Sequence, residues 1–405
     1  MSRRRVAITG VGLVTALGAT TEDSWRRMVD GVCGIGPLRA FDSTGYRSTV
    51  AAEVPLDDVL RDLTPLERRR WSRSDQIGVV AAREALAASG LLESGIARDR
   101  VGVLLGAGTA DLIRNEEYFF TMTRDGIGRA RPSDVYQHFS STPVDVIANK
   151  FGLEGLRACL VAACSSSTIA IGRAVDAIRH GRLDAALAGG TDALARLTYS
   201  GFNALRLMDS GPCRPFDRAR AGMSIGEGAG ILVLEDMERA RRRGAPILGE
   251  LAGYSLACEA FHPTAPEPDG VAVSGVIRAA LADARVAADA VDHVNAHGTG
   301  TTQNDRAEAK GFEATFGERV RQIPVTSIKS MIGHCLGAAG GVEAAALALT
   351  VARGVIPPTI NHTETDPDCR VDVVKNEARE GCVRCGVSTS LAFGGNDAAV
   401  VIRAV

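Results

Sequence analysis

The chain has 405 residues, enough for a large core or for two or three structural units. Apolar residues make up 45%, charged residues 23%, and the formal net charge is −2, so no global basic excess points to nucleic acid. The nine cysteines are odd in number and scattered, which argues against a disulfide framework and for free thiols in a reducing cytoplasm. Only Cys382 and Cys385 have CxxC spacing, with no second pair to complete a zinc knuckle.

Arg3, Arg4 and Arg5 lead straight into a strand-like segment, with no signal-like apolar region and no uninterrupted apolar run of membrane-spanning length. Residues 6–8 read as a strand ending at Gly10, and 101–105 as one ending at Gly106. Residues 111–145 are polar, aromatic and irregular, an insertion that covers a site or forms an interface. Residues 159–163 form a strand that runs into a helix over 165–180. Strands at 185–188 and 230–234 follow. The scheme then repeats, with strands at 291–296 and 323–328, a helix over 340–353, and closing strands at 387–391 and 398–402. Apolar strands flanked by helices predict an α/β protein whose sheets are covered on both faces. The pattern divides it into two similar halves, 1–250 and 251–405, packed as one unit because no low-complexity linker separates them.

Each half carries one strand-to-helix elbow. In the first, Ala163-Cys164-Ser165 places a thiol at the start of a helix, where backbone N–H groups and the helix dipole favour thiolate. On its own this cysteine reads equally as a nucleophile or as a structural residue beside a serine-rich cap. His297, in Asn295-Ala296-His297-Gly298-Thr299-Gly300-Thr301, and His334, five residues after Lys329, both sit at strand ends among glycines, where side chains converge in α/β sites. No carboxylate or second histidine stands at metal-ligand spacing beside either, so no metal is expected. His138, His180, His262, His293 and His362 lack such surroundings and read as surface or structural residues.

With Cys164, His297 and His334 in this order, the chain resembles the elongating β-ketoacyl-acyl-carrier-protein synthases of the thiolase superfamily. It is similar to the synthase II type of fatty-acid condensing enzyme and to the ketosynthase subunits of type II polyketide systems. Further shared motifs are Ala188-Gly189-Gly190-Thr191-Asp192, Arg214-Pro215-Phe216-Asp217, Gly226-Glu227-Gly228 and Phe393-Gly394-Gly395-Asn396. The resemblance implies a thiolase-like five-layered αβαβα fold and an acyltransferase that elongates fatty acids or polyketides. Cys164 would hold the acyl chain. His297 and His334 would stabilise the enolate left when a malonyl group loses carbon dioxide. Lys329, with Glu343, would keep this site in order. The backbone N–H groups of Cys164 and Phe393 would form the oxyanion hole, with Phe393 as a gate. Thr299 and Thr301 would bind the pantetheine arm. Asp305 and Glu308 read as structural.

The same resemblance implies no cofactor of the enzyme's own, since substrates ride on the phosphopantetheine of acyl carrier protein. Arg68, Arg69 and Arg70 lie where the family docks that acidic partner, and they read equally as a solvated helix face. A homodimer, or a heterodimer with a ketosynthase-like partner, is expected. Two departures stand out. Ala392-Phe393-Gly394-Gly395-Asn396-Asp397 replaces Gly-Phe-Gly-Gly-Thr-Asn around the gate. Thr109 replaces a larger aliphatic residue beside the acyl pocket, hinting at an unusual chain. The competing reading is a non-catalytic partner subunit like the chain-length factors, which usually lack the cysteine. Acyl length and pathway are not readable from the residues.

Overall fold

Strand β1 (Val6–Val14) is buried along its whole length, as an apolar run covered on both faces must be. Around it the computed structural model, which describes residues 3–109, 112–136, 139 and 141–405, builds two five-stranded arrangements. The first comprises β1, β2 (Val101–Gly106), β3 (Arg157–Leu160), β4 (Ala185–Asp192) and β5 (Gly228–Asp236). Their spatial order is β3-β2-β4-β5-β1. β2 pairs in parallel with β3 and β4, and β5 runs antiparallel to β4 and β1.

The second comprises β6 (Gly249–Cys258), β7 (His293–Asn295), β8 (Pro324–Thr326), β9 (Cys385–Ser390) and β10 (Asn396–Arg403), in the order β8-β7-β9-β10-β6. Here too the second strand, β7, is parallel to β8 and β9, and β10 is antiparallel to β9 and β6. The two sets share one order and one pattern of directions. They meet where Ala7 and Ile8 of β1 pair with Glu250 and Gly249 of β6. A two-residue strand, Asp372–Val373, extends the far edge beyond β8.

Three apolar clusters hold five layers together, the central one spanning two interfaces. One outer seam packs α1 (Arg73–Ser89) and α2 (Thr142–Phe151) on the first set, through Ile77, Val80, Ile147, Leu105 and Val233. The other packs α4 (Val271–Ala284) and α5 (Thr302–Phe316) on the second, through Ile277, Phe312, Val325 and Val401. Between the sheets lie α3 (Ser166–Arg179) and α6 (Ala339–Arg353), buried against both through Ile171, Val175, Val342 and Leu347. These central helices approach closely: a Cβ added at Gly340 would overlap the Thr168 hydroxyl. The stretch Leu336–Arg353 has the length and hydropathy to cross a membrane, but 89% of it is buried in this layer, which makes it a core helix.

Several sequence expectations change. β1 and β4 run through Gly10 and Gly189-Gly190 instead of ending there, because a neighbouring backbone packs against those glycines. The described residues of 111–145 are largely helical rather than irregular. Helices span Leu112–Asp125 and Pro132–Tyr136, and α2 begins at Thr142. The Leu112–Asp125 helix has no fully buried residue, although its Ile113 packs at the edge of the core around Tyr199.

Candidate active site

The repeated topology sets two equivalent elbows face to face. After β3 the chain turns at Ala163, whose φ of +49° is rare for a residue with a Cβ, and presents Cys164 just before α3. Ser166 braces the turn: its hydroxyl accepts from Ala162 N–H at 2.8 Å and donates to the Ala163 carbonyl at 2.6 Å. After β8, Lys329–Ile332 form one helical turn and Gly333 (φ +63°) swings His334 inward. His297 follows β7 and is succeeded by Gly298 (φ +39°). All three reactive side chains are buried. The Cys164 thiol and one ring nitrogen of each histidine lie within 4.8 Å of one another. The imidazoles stand nearly perpendicular, with centroids 5.2 Å apart.

The neighbours fix how the rings are protonated. Lys329 Nζ donates toward His297 Nδ1 at 3.3 Å, and Leu336 N–H donates to His334 Nδ1 at 3.1 Å. With each Nδ1 accepting, the proton of each neutral ring sits on Nε2. Burial, then the positive charge of Lys329, holds both histidines well below their usual range, so both are neutral. His334 Nε2 is buried without a protein partner and points its N–H into the site. A Cys-His-His cluster has the donors of a zinc site, and folding brings together groups that the linear spacing kept apart. A cation would need the Nε2 lone pairs, which the donors at both Nδ1 atoms leave protonated.

Burial pushes the Cys164 thiol up to about 11, against the pull of Lys329 and of a hydrogen bond from Phe393 N–H. Desolvation therefore outweighs the helix-end effect expected from the sequence, and the resting residue is a thiol. The same hydrogen bond aims the Phe393 amide at the sulfur.

Lys329 is itself enclosed. Its ammonium donates to the His297 carbonyl at 2.6 Å and pairs with Glu343. Burial first, offset by Lys329, brings the Glu343 carboxyl up to about 7. Glu308 clamps the other side. It accepts from the N–H groups of His297 and Gly298, both at 2.7 Å, and from the Thr389 hydroxyl at 2.6 Å. Asp305 accepts from Phe216 and Gly300 N–H groups at 2.8 and 3.1 Å. Both carboxylates hold backbone, in keeping with structural roles.

A cavity opens onto Cys164, His297 and His334 and is lined also by Thr299, Thr301 and Phe393. The threonine hydroxyls are 2.9 Å apart. Thr109 is not part of this wall. Its hydroxyl donates to the buried Asp192 at 2.9 Å, so it is committed to a carboxylate that also accepts from Gly108 and Gly337 N–H. Arg68, Arg69 and Arg70 are outside the cavity too. They end the helix Pro65–Arg70, with Arg69 and Arg70 exposed, and Arg114 donates to the Arg69 and Trp71 carbonyls beside them.

Sequence reasoning missed other cavity residues, Phe202, Met223 and Glu259; Asp397, singled out there as a departure beside Phe393, lines the cavity too. His262, read as surface or structural, is exposed but lines the cavity mouth, where its Nδ1 accepts from Thr264 and Ala265 N–H. His293 and His362 are buried and bonded to backbone carbonyls, as structural residues should be; His180 caps α3; His138 lies outside the described residues.

Two family sequence models match. "Beta-ketoacyl synthase, N-terminal domain" covers residues 3–240 and "Beta-ketoacyl synthase, C-terminal domain" covers 248–363. The chain is 35% identical to "3-oxoacyl-[acyl-carrier-protein] synthase 2" of Synechocystis sp., over 100% of this chain and 99% of that one. It is 37% identical to the "Tetracenomycin polyketide synthase ketoacyl synthase alpha subunit" of Streptomyces glaucescens, over 99% and 97%. The solved structure "The ishigamide ketosynthase/chain length factor" superposes with a TM-score of 0.94 at 36% identity, covering 100% of both chains. Sequence, fold and the meeting of Cys164 with two neutral histidines agree: this chain belongs to the β-ketoacyl synthase family.

Proposed function

We propose that the protein catalyses a decarboxylative Claisen condensation between an acyl group held on Cys164 and malonyl-acyl carrier protein, giving a β-ketoacyl-acyl carrier protein two carbons longer. The observation that carries this reading is the pair of neutral imidazoles whose Nε2–H groups converge beside a buried thiol.

In the first step Cys164 sulfur bonds to the acyl carbon, the carrier's thioester breaks, and the Cys164 proton ends on the released pantetheine thiol. The malonyl thioester then loses carbon dioxide, and the electron pair moves onto its thioester oxygen. His297 and His334 donate through Nε2–H to that enolate, an effect of about 3–4 kcal/mol for a well-placed donor. The enolate carbon attacks the acyl carbonyl, whose oxygen accepts from the N–H groups of Cys164 and Phe393. The carbon–sulfur bond breaks, and the Cys164 thiolate takes a proton from water. Lys329 and Glu343 position His297 throughout, and Thr299 and Thr301 hold the pantetheine arm. Decarboxylation drives the bond formation, so no cofactor of the protein's own is assigned. The docking surface for the carrier is the exposed end of the Arg68–Arg70 helix.

β3 ends its sheet, flanked by exposed Leu156 and Val161, which supports pairing with a second ketosynthase-like subunit there. All nine cysteines are free, consistent with a cytoplasmic setting. A chain-length-factor role is disfavoured by the complete thiol and histidine set. Mass spectrometry after incubation with a panel of acyl carrier proteins tests the assignment. Acylation of the Cys164 peptide is expected, and a Cys164→Ala variant that still acylates would overturn it.

A further inference from the structure

The loop that carries Phe393 is tied down at several points. Phe393 packs on Phe202 at 5.6 Å between ring centroids, and its N–H bonds Cys164. Gly394 N–H donates to the Pro263 carbonyl at 2.8 Å, and Glu259 N–H donates to the Gly395 carbonyl at 2.9 Å. Where the family pattern ends in Thr-Asn, this chain has Asn396-Asp397, so an acid replaces an amide. Asp397 is buried, accepts a hydrogen bond from Ala392 N–H, and faces the carboxyl of Glu259. Glu259 Oε2 accepts from Glu267 N–H at 3.1 Å. Glu259 Oε1 and Asp397 Oδ2 are buried and meet no donor from any other group. Two carboxyls in contact attract only while a proton lies between them; with both ionised they repel.

We propose that Asp397 and Glu259 share one proton and thereby latch the 391–396 loop shut, holding Phe393 over Cys164. The pair acts as a positioning device for the ketosynthase reaction, and the proposal rests on that reading of the site. Burial, then Glu259, pushes the Asp397 carboxyl up to about 9, so the proton is present at neutral pH. Of the groups facing the pair, Glu308 on α5 adds negative potential. His262 lies on the same segment as Glu259, and Cys164, His297 and His334 stand across the cavity, whose lining includes no lysine or arginine. Because the folded-state value is raised, the holding force is present at low and neutral pH and is lost as pH rises through about 9. An amide at 397 would make the same bonds without titrating.

Hydrogen–deuterium exchange on the full chain tests this, read as the protection factor of the 391–396 peptide after correction for intrinsic exchange. In the unmodified protein, protection should fall at least about tenfold between about pH 7 and pH 10, while β10 stays protected as a control on folding. In Asp397→Asn and Glu259→Gln it should change less than about twofold over that range, and in Asp397→Ala it should be low throughout. A pH-independent loop in the unmodified protein, or Asp397→Asn following its pH dependence, would overturn the latch. Acylation of Cys164 by acyl carrier proteins, measured on the same samples, separates the two ideas. A flat exchange profile with normal acylation sinks the latch alone, and a titrating loop with no acylation sinks the enzymatic reading alone.

Discussion

Replacing Lys329 with methionine should separate stability from chemistry at this site. The side chain keeps its length and loses its charge, leaving Glu343 buried without the ammonium that faces it. Breaking a buried ion pair from one side costs about 3–5 kcal/mol. The lower end is expected here, because Glu343 already sits at about 7 and can shed its charge by taking up a proton. The raised carboxyl also sets the pH dependence. Neutral Glu343 is compatible with burial, so the penalty should be smaller at about pH 5 than at about pH 8. Separately, His297 Nδ1 loses its donor, and the imidazole is free to move its proton off Nε2. Losing one aligned donor to a developing oxyanion costs about 10²–10³ in rate. Urea denaturation reads the first effect, and carbon dioxide release from malonyl-acyl carrier protein reads the second. The double variant Lys329→Met/Glu343→Gln should recover most of the stability and little of the rate. A double variant that regains the rate would refute the tautomer argument, and a single variant within about 1 kcal/mol of the parent would refute the buried-pair argument.

His334→Ala should slow malonyl decarboxylation by about 10² while leaving Cys164 acylation measurable, because the lost donor acts on the enolate; equal loss of both steps would contradict that division. Iodoacetamide labelling of the Cys164 peptide should accelerate about tenfold per pH unit from about pH 7 to pH 9, as expected for a thiol held near 11, and a plateau near neutrality would show a preformed thiolate. Arg69→Glu and Arg70→Glu should raise KM for acyl carrier protein and weaken its salt dependence; unchanged kinetics would remove the docking assignment. Gly340→Ala should destabilise by about 1–3 kcal/mol through overlap with Thr168, measured as a lowered Tm, and an unchanged Tm would mean the central helices can part.

What the sequence revealed and what it hid divide along a physical line. Cys164, His297 and His334 were legible because each sits where an apolar run meets glycine or serine; that local chemistry marks the end of an element, a strand before His297 and a short helical turn before His334. Their convergence was expected only through the family resemblance. It depends on β3 and β8 occupying equivalent places in two sets of strands. Glu308 clamps His297 from eleven residues away on a helix that looks like any other, and Glu259 reaches Asp397 across paired strands. No local pattern announces either contact. The protonation of Cys164 was misjudged for the same reason: a helix start is visible in sequence, whereas desolvation is created by the enclosing fold. The family resemblance sets Thr109 beside the acyl pocket, and its hydroxyl is spent on Asp192, 83 residues downstream.

The back-to-back placement of α3 and α6 has a consequence for synthesis on the ribosome. All five strands of the first set have been made once Asp236 emerges, yet one face of α3 still lacks its cover. That face stays bare until Arg353 has cleared the exit tunnel, more than a hundred residues later, when α6 can dock on it. Throughout that interval the nascent chain displays an apolar surface with a finished strand edge at β1 awaiting β6, a form that chaperones bind and that neighbouring chains can capture. His334 and the helix that seals the seam belong to the same stretch of polypeptide and arrive together, whereas the Phe393 amide that bonds Cys164 is made only afterwards.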